Sequence, residues 1–328
     1  MRIAAVLPHG EIFGGVRRYI EIGNEFIKRG HAYTLFHPEG TPPEWIKFVG
    51  RVRAFSSLEE ESFDVALCSE YSVLPEFERI RARVKFFYFL LPGHKKERDV
   101  VRSGYFFLGN SLGMCRRIEK KYRVSCFRAT GGVNPDIFYP VERQKKSDRF
   151  RILSYGRLSR RRKGIQHVLR AVEKLHRKFP HIQLLLFDSR VGEEKKDPRK
   201  MIKTDVPYEF FWNLPQEKMA WLYSQADVFV SAERRAGWSN TAAEAMACGI
   251  PVVCTPSGTQ DFAVHGQTAL VVRLPYSPFI CRQLRRFIQD ESLRNRIAQE
   301  GFRRIKTFTW SALAERLESH FTAVMKLK

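Results

Sequence analysis

Acidic residues are the scarce component of this 328-residue chain: 35 Asp and Glu stand against 57 Lys and Arg, for a formal net charge of +22. Both halves share the deficit, with 26 cations against 18 acids in residues 1–150 and 31 against 17 beyond. No basic tail explains it. Such a field favours nucleic acid, an anionic membrane surface or phosphate-bearing substrates. Cysteine is sparse as well. Cys68, Cys115, Cys126, Cys248, Cys254 and Cys281 show no CxxC pair and no Cys/His ligand spacing, which argues against a zinc site. Several fall in apolar stretches, where cysteine acts as a small buried hydrophobe, and a reducing compartment suits them. Long apolar runs are missing. The longest, residues 86–92, is too short to span a bilayer. The apolar start, residues 3–7, has only Arg2 before it and is too short for a signal-peptide core. The expectation is a cytoplasmic protein, soluble or peripheral on the inner face of the membrane.

An apolar content of 44% and this length instead suit two globular domains of roughly 150 residues each. Short apolar strands alternate with amphipathic helices over residues 1–140, beginning with a strand at 2–7 and a helix at 16–28. The polar stretch 141–149 reads as a linker. The rhythm restarts at 151 and runs to 308, and a last helix occupies 311–328. Strands interleaved with helices predict an α/β protein with two doubly wound parallel sheets, covered on both faces. Such sheets bind ligands at strand C-termini, so two facing domains imply a cleft.

Four segments carry candidate chemistry at strand ends. Gly14 and Gly15 open the first helix and permit close backbone approach to a ligand. In Gly156–Gly164, five cations (Arg157, Arg160, Arg161, Arg162, Lys163) occupy seven positions after the second domain's first strand. Arg can fork onto phosphate and Lys supplies a point charge, so Arg157 and Lys163 are the candidates; the other three read equally well as solvated. The stretch 231–255 runs loop, helix start and strand, with Glu244 on a helix otherwise built from small residues. A helix N-terminus there can hold phosphate, and the carboxylate suits two ribose hydroxyls or a neighbouring arginine. His94 follows the strand at 84–91 and is a candidate substrate contact.

GGVRRY, GRLSRRRKG, the run 225–230 and AEAMACGIPVV, followed by Gly258 and residues 266–272, together resemble family-four retaining glycosyltransferases. The matches run in order from about residue 10 to 312. The resemblance implies two facing Rossmann-like domains of the glycosyltransferase-B type, with the last helix crossing back onto the first. It also implies a nucleotide-diphosphate sugar donor and a glycan or lipid-linked cell-envelope acceptor. By it, Arg157 and Lys163 neutralise the diphosphate, Glu244 holds the ribose, and the backbone of Trp238, Ser239, Asn240 and Thr241 lines the sugar-phosphate site. Gly14 and Gly15 approach from the first domain, and His94 lies near the transferred sugar. The chemistry it implies is electrostatic: fixed cations stabilise the leaving diphosphate, which takes the acceptor proton on the retained face. The chain has no Asp-x-Asp motif, so no obligatory metal or other cofactor is expected.

Two departures matter. The family's second glutamate, eight residues before Glu244, is replaced by Ala236, which leaves Glu233 as a candidate substitute carboxylate. The spacing from Arg157 to Lys163 is one residue longer than the common form. A catalytically degenerate nucleotide-sugar- or glycan-binding relative is therefore the alternative. Nucleic acid is not an expected partner, since no helix-turn-helix, zinc-finger or aromatic RNA-binding signature is present. The basic helix near residues 111–123 is a candidate for contact with anionic lipid.

Overall fold

The computed structural model describes residues 1–143, 148–190 and 197–327, so part of the 141–149 stretch lies outside the described residues. The chain divides into two units, Met1–Gly132 with Thr309–Lys328, and Val133–Phe308. The first therefore ends before residue 140. Val133 and Phe138 are buried in the second unit's core, which draws this Pro-bounded turn away from the first.

The first unit carries β1 (Arg2–Val6), β2 (Ala32–His37), β3 (Arg51–Ala54), β4 (Ser62–Cys68), β5 (Arg81–Phe89), β6 (Phe106–Gly109) and β7 (Phe127–Arg128). They form one sheet in the order β3-β2-β1-β4-β5-β6-β7, with every pair parallel. The strand order turns between β1 and β4. Its helices are α1 (Gly14–Lys28), α2 (Leu74–Arg79), α3 (Glu97–Val101) and α4 (Leu112–Tyr122). α1 packs because Val16, Tyr19, Ile20 and Phe26 recur on one buried face. Gly23, on the same helix, must stay small: a Cβ there would lie 2.7 Å from the Tyr33 ring.

The second unit repeats the plan with β8 (Phe150–Tyr155), β9 (Ile182–Asp188), β10 (Tyr208–Trp212), β11 (Val228–Ser231), β12 (Val252–Cys254) and β13 (Leu270–Val271). The order is β10-β9-β8-β11-β12-β13, again all parallel, so the turn falls between β8 and β11. β9 is buried along its whole length, as a strand covered on both faces must be. The helices are α5 (Ile165–His176), α6 (Met219–Ser224), α7 (Asn240–Ala247), α8 (Ser277–Gln289) and α9 (Glu291–Ile305). β3, β13, α2, α3 and α8 are additions to what the sequence predicts.

The final helix, α10 (Trp310–Lys326), belongs to the first unit. Thr309 caps it by accepting the Ala312 N–H at 3.1 Å. Phe321 stacks on Phe26 at 5.9 Å, and Leu313, Leu317 and Val324 are buried beside it. Four such side chains contribute on the order of 6–12 kcal/mol of gross burial energy, before chain entropy is charged against it. Among the described residues no helix is long and apolar enough to cross a membrane.

Candidate active site

In the second unit the loops leaving β8 and β11 are stitched together at the turn in strand order. Gly164 adopts φ +71°, and a Cβ there would collide with the Ala232 carbonyl. Only glycine lets the 3₁₀ turn Arg161–Lys163 press against the chain leaving β11. The Arg234 N–H donates to the Arg162 carbonyl at 2.8 Å, and Arg162 Nη1 donates to the Arg235 carbonyl at 3.2 Å. This stitching places Lys163 Nζ on Glu233, whose side chain is buried. Lys163 also lies 5.1 Å from the Tyr155 ring centre.

Arg157 sits at the exit of β8 and is 7% exposed. Its Nε donates to Asp188 Oδ1 at 3.0 Å, and its Nη2 lies 2.9 Å from the same oxygen and also donates to the Ser189 carbonyl. Burial pushes the Asp188 carboxyl up, and the Arg157 guanidinium opposes that shift. Burial likewise raises the Tyr155 phenol, with Asp188 adding to the effect. Both sequence-selected cations therefore already hold a carboxylate. Asp188 closes a buried strand at the sheet's C-terminal rim, which is the one sequence signal that marks it.

α7 starts at Asn240 with no side-chain cap on its first turn. Its opening N–H groups are thus directed at whatever lies beyond the helix end. Ala242, Ala243, Ala245 and Ala247 are all buried, so the helix lies close to the sheet. Gly249, at φ +75°, ends it: the Ile250 N–H returns to the Ala245 carbonyl at 2.9 Å and the Gly249 N–H to Met246 at 3.0 Å. Glu244 is buried, and its Oε2 accepts the Tyr223 hydroxyl at 2.9 Å. Tyr223, supplied by α6, escaped the sequence reading because nothing local links it to residue 244.

The Trp238 side chain turns inward. Its ring packs on Phe262 at 4.8 Å and Phe308 at 5.5 Å, so the side chain belongs to the core and only its backbone can line a site. Ser239 is fully buried, with its N–H on the Gly258 carbonyl at 2.8 Å. Asn240 and Thr241 are partly exposed. Ala236 abuts Gly258, whose hypothetical Cβ would be 2.8 Å from the Ala236 methyl.

In the first unit Gly14 and Gly15 open α1, again with no side-chain cap. His94 is exposed and stacks on Tyr71 at 3.8 Å and 12°. The Lys96 N–H donates to its Nδ1 at 3.2 Å, so the neutral ring carries its proton on Nε2. The loop is pinned by Glu97, a residue the sequence reading missed. Glu97 accepts the Gly93 N–H at 2.6 Å, two Arg117 bonds at 2.9 and 2.7 Å, and the Tyr122 hydroxyl at 3.0 Å. Burial alone would raise its carboxyl, but these donors, Arg117 foremost, hold it down at about 2. The same network consumes much of the basic helix α4. Met114, Cys115 and Ile118 face the core, and Arg117 and Lys121 are tied to Glu97. The apolar face of α4 is therefore not available to a lipid surface, and Arg116, Lys120 and Arg123 remain on its outer side.

Two doubly wound parallel sheets, the second with cations and a helix start at its switch point, place the chain among α/β proteins of the Rossmann-like class. Residues 137–304 match the model for Glycosyl transferases group 1, about half of the chain, and the chain belongs to that family. It is similar to the capsular polysaccharide biosynthesis glycosyltransferase CapM of Staphylococcus aureus, 28% identical over 219 residues that cover 63% of this chain and 57% of CapM. It is also similar to the lipopolysaccharide core biosynthesis glycosyltransferase LpsE of Rhizobium meliloti, 29% identical over 236 residues that cover 65% of this chain and 66% of LpsE. The match thus spans about two thirds or less of these relatives' own length. Sucrose-phosphate synthase from Thermosynechococcus elongatus shares the fold with a TM-score of 0.79 at 16% identity, over 100% of both chains. Anabaena HepE, solved in complex with UDP and glucose, gives 0.75 at 13% identity over 98% of this chain and 99% of its own. The fold is the glycosyltransferase-B type.

Proposed function

We propose that this protein transfers a sugar from a nucleotide-diphosphate donor to a glycan or lipid-linked acceptor of the cell envelope, with retention of anomeric configuration. The observation that carries the reading is the stitched rim of the second sheet, where Lys163, Arg157 and the open start of α7 follow adjacent strands. Lys163 and Arg157 neutralise charge developing on the leaving diphosphate, and the first N–H groups of α7 add to it. With these cations in place no metal is needed. The leaving phosphate oxygen takes the acceptor's hydroxyl proton as the new glycosidic bond forms on the same face. Glu244, oriented by Tyr223, holds the ribose hydroxyls, and Trp238, Ser239, Asn240 and Thr241 offer backbone to the phosphates. Gly14 and Gly15 give the acceptor close access to the first unit's rim, and His94 donates from Nε2 to a sugar hydroxyl. HepE and the curated relatives support a nucleotide sugar and envelope polysaccharide as the substrate classes.

The Lys163–Glu233 pair gives the donor a competitor. A diphosphate must draw Lys163 off Glu233, after which that carboxylate is released toward the sugar hydroxyls that Ala236 cannot bind. Ala236 also favours a second reading, a relative that binds nucleotide sugar without turning it over. Thermal shift against UDP, GDP, ADP and their sugars, with and without magnesium, tests the donor site. A ligand at about 100 times its Kd adds roughly 2.7 kcal/mol of stability. We expect one base to shift the wild type regardless of magnesium, and Lys163→Ala to lose roughly 1.5–3 kcal/mol of that binding. Equal binding by Lys163→Ala would remove the donor site from this rim. Binding without release of free nucleotide in the presence of acceptor would favour the second reading.

A further inference from the structure

Three segments leave the first sheet at one rim and meet at Gly15. A Cβ on Gly15 would lie 3.2 Å from Leu90 Cδ1, beyond β5, and 3.9 Å from Glu70 Oε1, beyond β4. Glu70 thus stands where the strand order turns between β1 and β4, beside the uncapped first turn of α1. The next residue is Tyr71, which stacks on His94.

What distinguishes Glu70 is the lack of a partner in a chain so rich in cations. Glu97, Asp188 and Glu233 each hold an ion pair, and Glu244 holds the Tyr223 hydroxyl. Among the described residues no hydrogen bond or ion pair reaches the Glu70 carboxylate, although its backbone carbonyl accepts from Cys68 and Val73. Burial pushes this carboxyl up with no cation opposing it. Beside it, the hydroxyl of Ser69 is buried next to the buried Tyr19 hydroxyl. The Glu70 carboxylate is only partly buried, so an unpaired acceptor stands where a ligand can still reach it and complete its bonding.

We propose that Glu70 is a binding residue for hydroxyl groups of a sugar, its carboxylate accepting one or two hydroxyl hydrogens at the first sheet's switch point. Neutral hydroxyls satisfy an acceptor-only group without bringing further charge. A phosphate would be repelled there, so the carboxylate selects a neutral polyol end over a phosphorylated one. Gly15 keeps the approach open, since any side chain would fill the space next to Oε1. The term acceptor for this sugar rests on the transferase reading above; the site does not.

The test is saturation-transfer NMR with α- and β-methyl glucoside, galactoside and mannoside, each with and without UDP, GDP or ADP. Wild type is compared with Glu70→Gln and Glu70→Ala, and nucleotide affinity and Tm are measured on the same samples. The expected result is a glycoside signal in wild type whose affinity falls roughly tenfold or more in both variants. Nucleotide affinity should stay unchanged, and Tm should rise by about 2 °C in Glu70→Gln, where an unpaired charge has gone. A merely structural carboxylate would give a lower Tm instead. The proposal is overturned by absence of glycoside binding to wild type, by equal binding in wild type and Glu70→Gln, or by a fall in Tm of Glu70→Gln. Glycoside binding through Glu70 with no nucleotide binding would keep this site and remove the donor reading. Nucleotide binding with glycoside binding indifferent to Glu70 would do the reverse.

Discussion

The rim of the first sheet carries the carboxylates Glu70 and Glu97 beside His94, whereas that of the second carries the cations Arg157 and Lys163, each resting on a carboxylate. The strand orders match and both turn beside the first strand of the unit. Helices α1 and α7 open these rims without side-chain caps, as do α2, α3, α5, α6 and α8, whereas α4, α9 and α10 are capped by Ser111, Asp290 and Thr309. Topology therefore decides where backbone donors and strand ends gather, and the sign of a few side chains decides what they can receive. The second rim keeps its cations on Asp188 and Glu233, which spares each buried charge the cost of standing alone. The first pairs Glu97 fully and leaves Glu70 without a counter-charge.

The largest expected effect comes from breaking the second rim. Arg157→Ala leaves Asp188 buried without its partner and should cost about 3–5 kcal/mol of unfolding stability, measured by urea titration. A loss below about 1 kcal/mol would mean that Asp188 is satisfied without the guanidinium, and that the pair is no keystone of this rim.

Next comes the paired carboxylate of the first rim. The Glu97 carboxyl is depressed from 4.5 to about 2, so its contribution is fully present above about 4.5 and is lost as pH falls through about 2. That contribution is roughly 2–4 kcal/mol. Urea unfolding at pH 6, 4 and 3 should show wild type weakening while Glu97→Gln starts lower and changes less. Parallel pH dependence in the two proteins would mean that Glu97 is not what holds the His94 loop.

The smallest effect on stability is expected from restoring the carboxylate that the family carries at position 236. Ala236→Glu places a longer side chain beside Gly258, at a half-exposed position from which it can point outward. We expect a stability change within about 1 kcal/mol and faster hydrolysis of the donor that the nucleotide panel identifies. Unchanged hydrolysis would show that Glu233 already does this work once Lys163 is drawn away.

Much of this arrangement was legible in the linear chain. The alternation of strands and helices, the basic run after β8, and the alanine-rich helix ended by Gly249 are local patterns with local physical causes. β3 was not legible, because a half-buried edge strand that opens Arg-Val-Arg shows little apolar signal. The packing of the Trp238 ring on Phe262 and Phe308 was not legible either, because those partners lie 24 and 70 residues further on. The tie between Arg117 on the basic helix α4 and Glu97, 20 residues before it, was likewise invisible in the linear chain.

By itself the sequence determined which residue types stand at each strand end, because hydrophobic periodicity and glycine punctuation act over a few residues. Only the tertiary structure decided which charges meet. Arg157 reaches Asp188 across 31 positions, Lys163 reaches Glu233 across 70, and Tyr223 reaches Glu244 across 21. Parallel strands must be joined by long crossovers, so residues on neighbouring strand ends are always distant in the chain. The unpaired state of Glu70 is likewise a property of the assembled rim, because a missing partner can be recognised only after every neighbour has been placed.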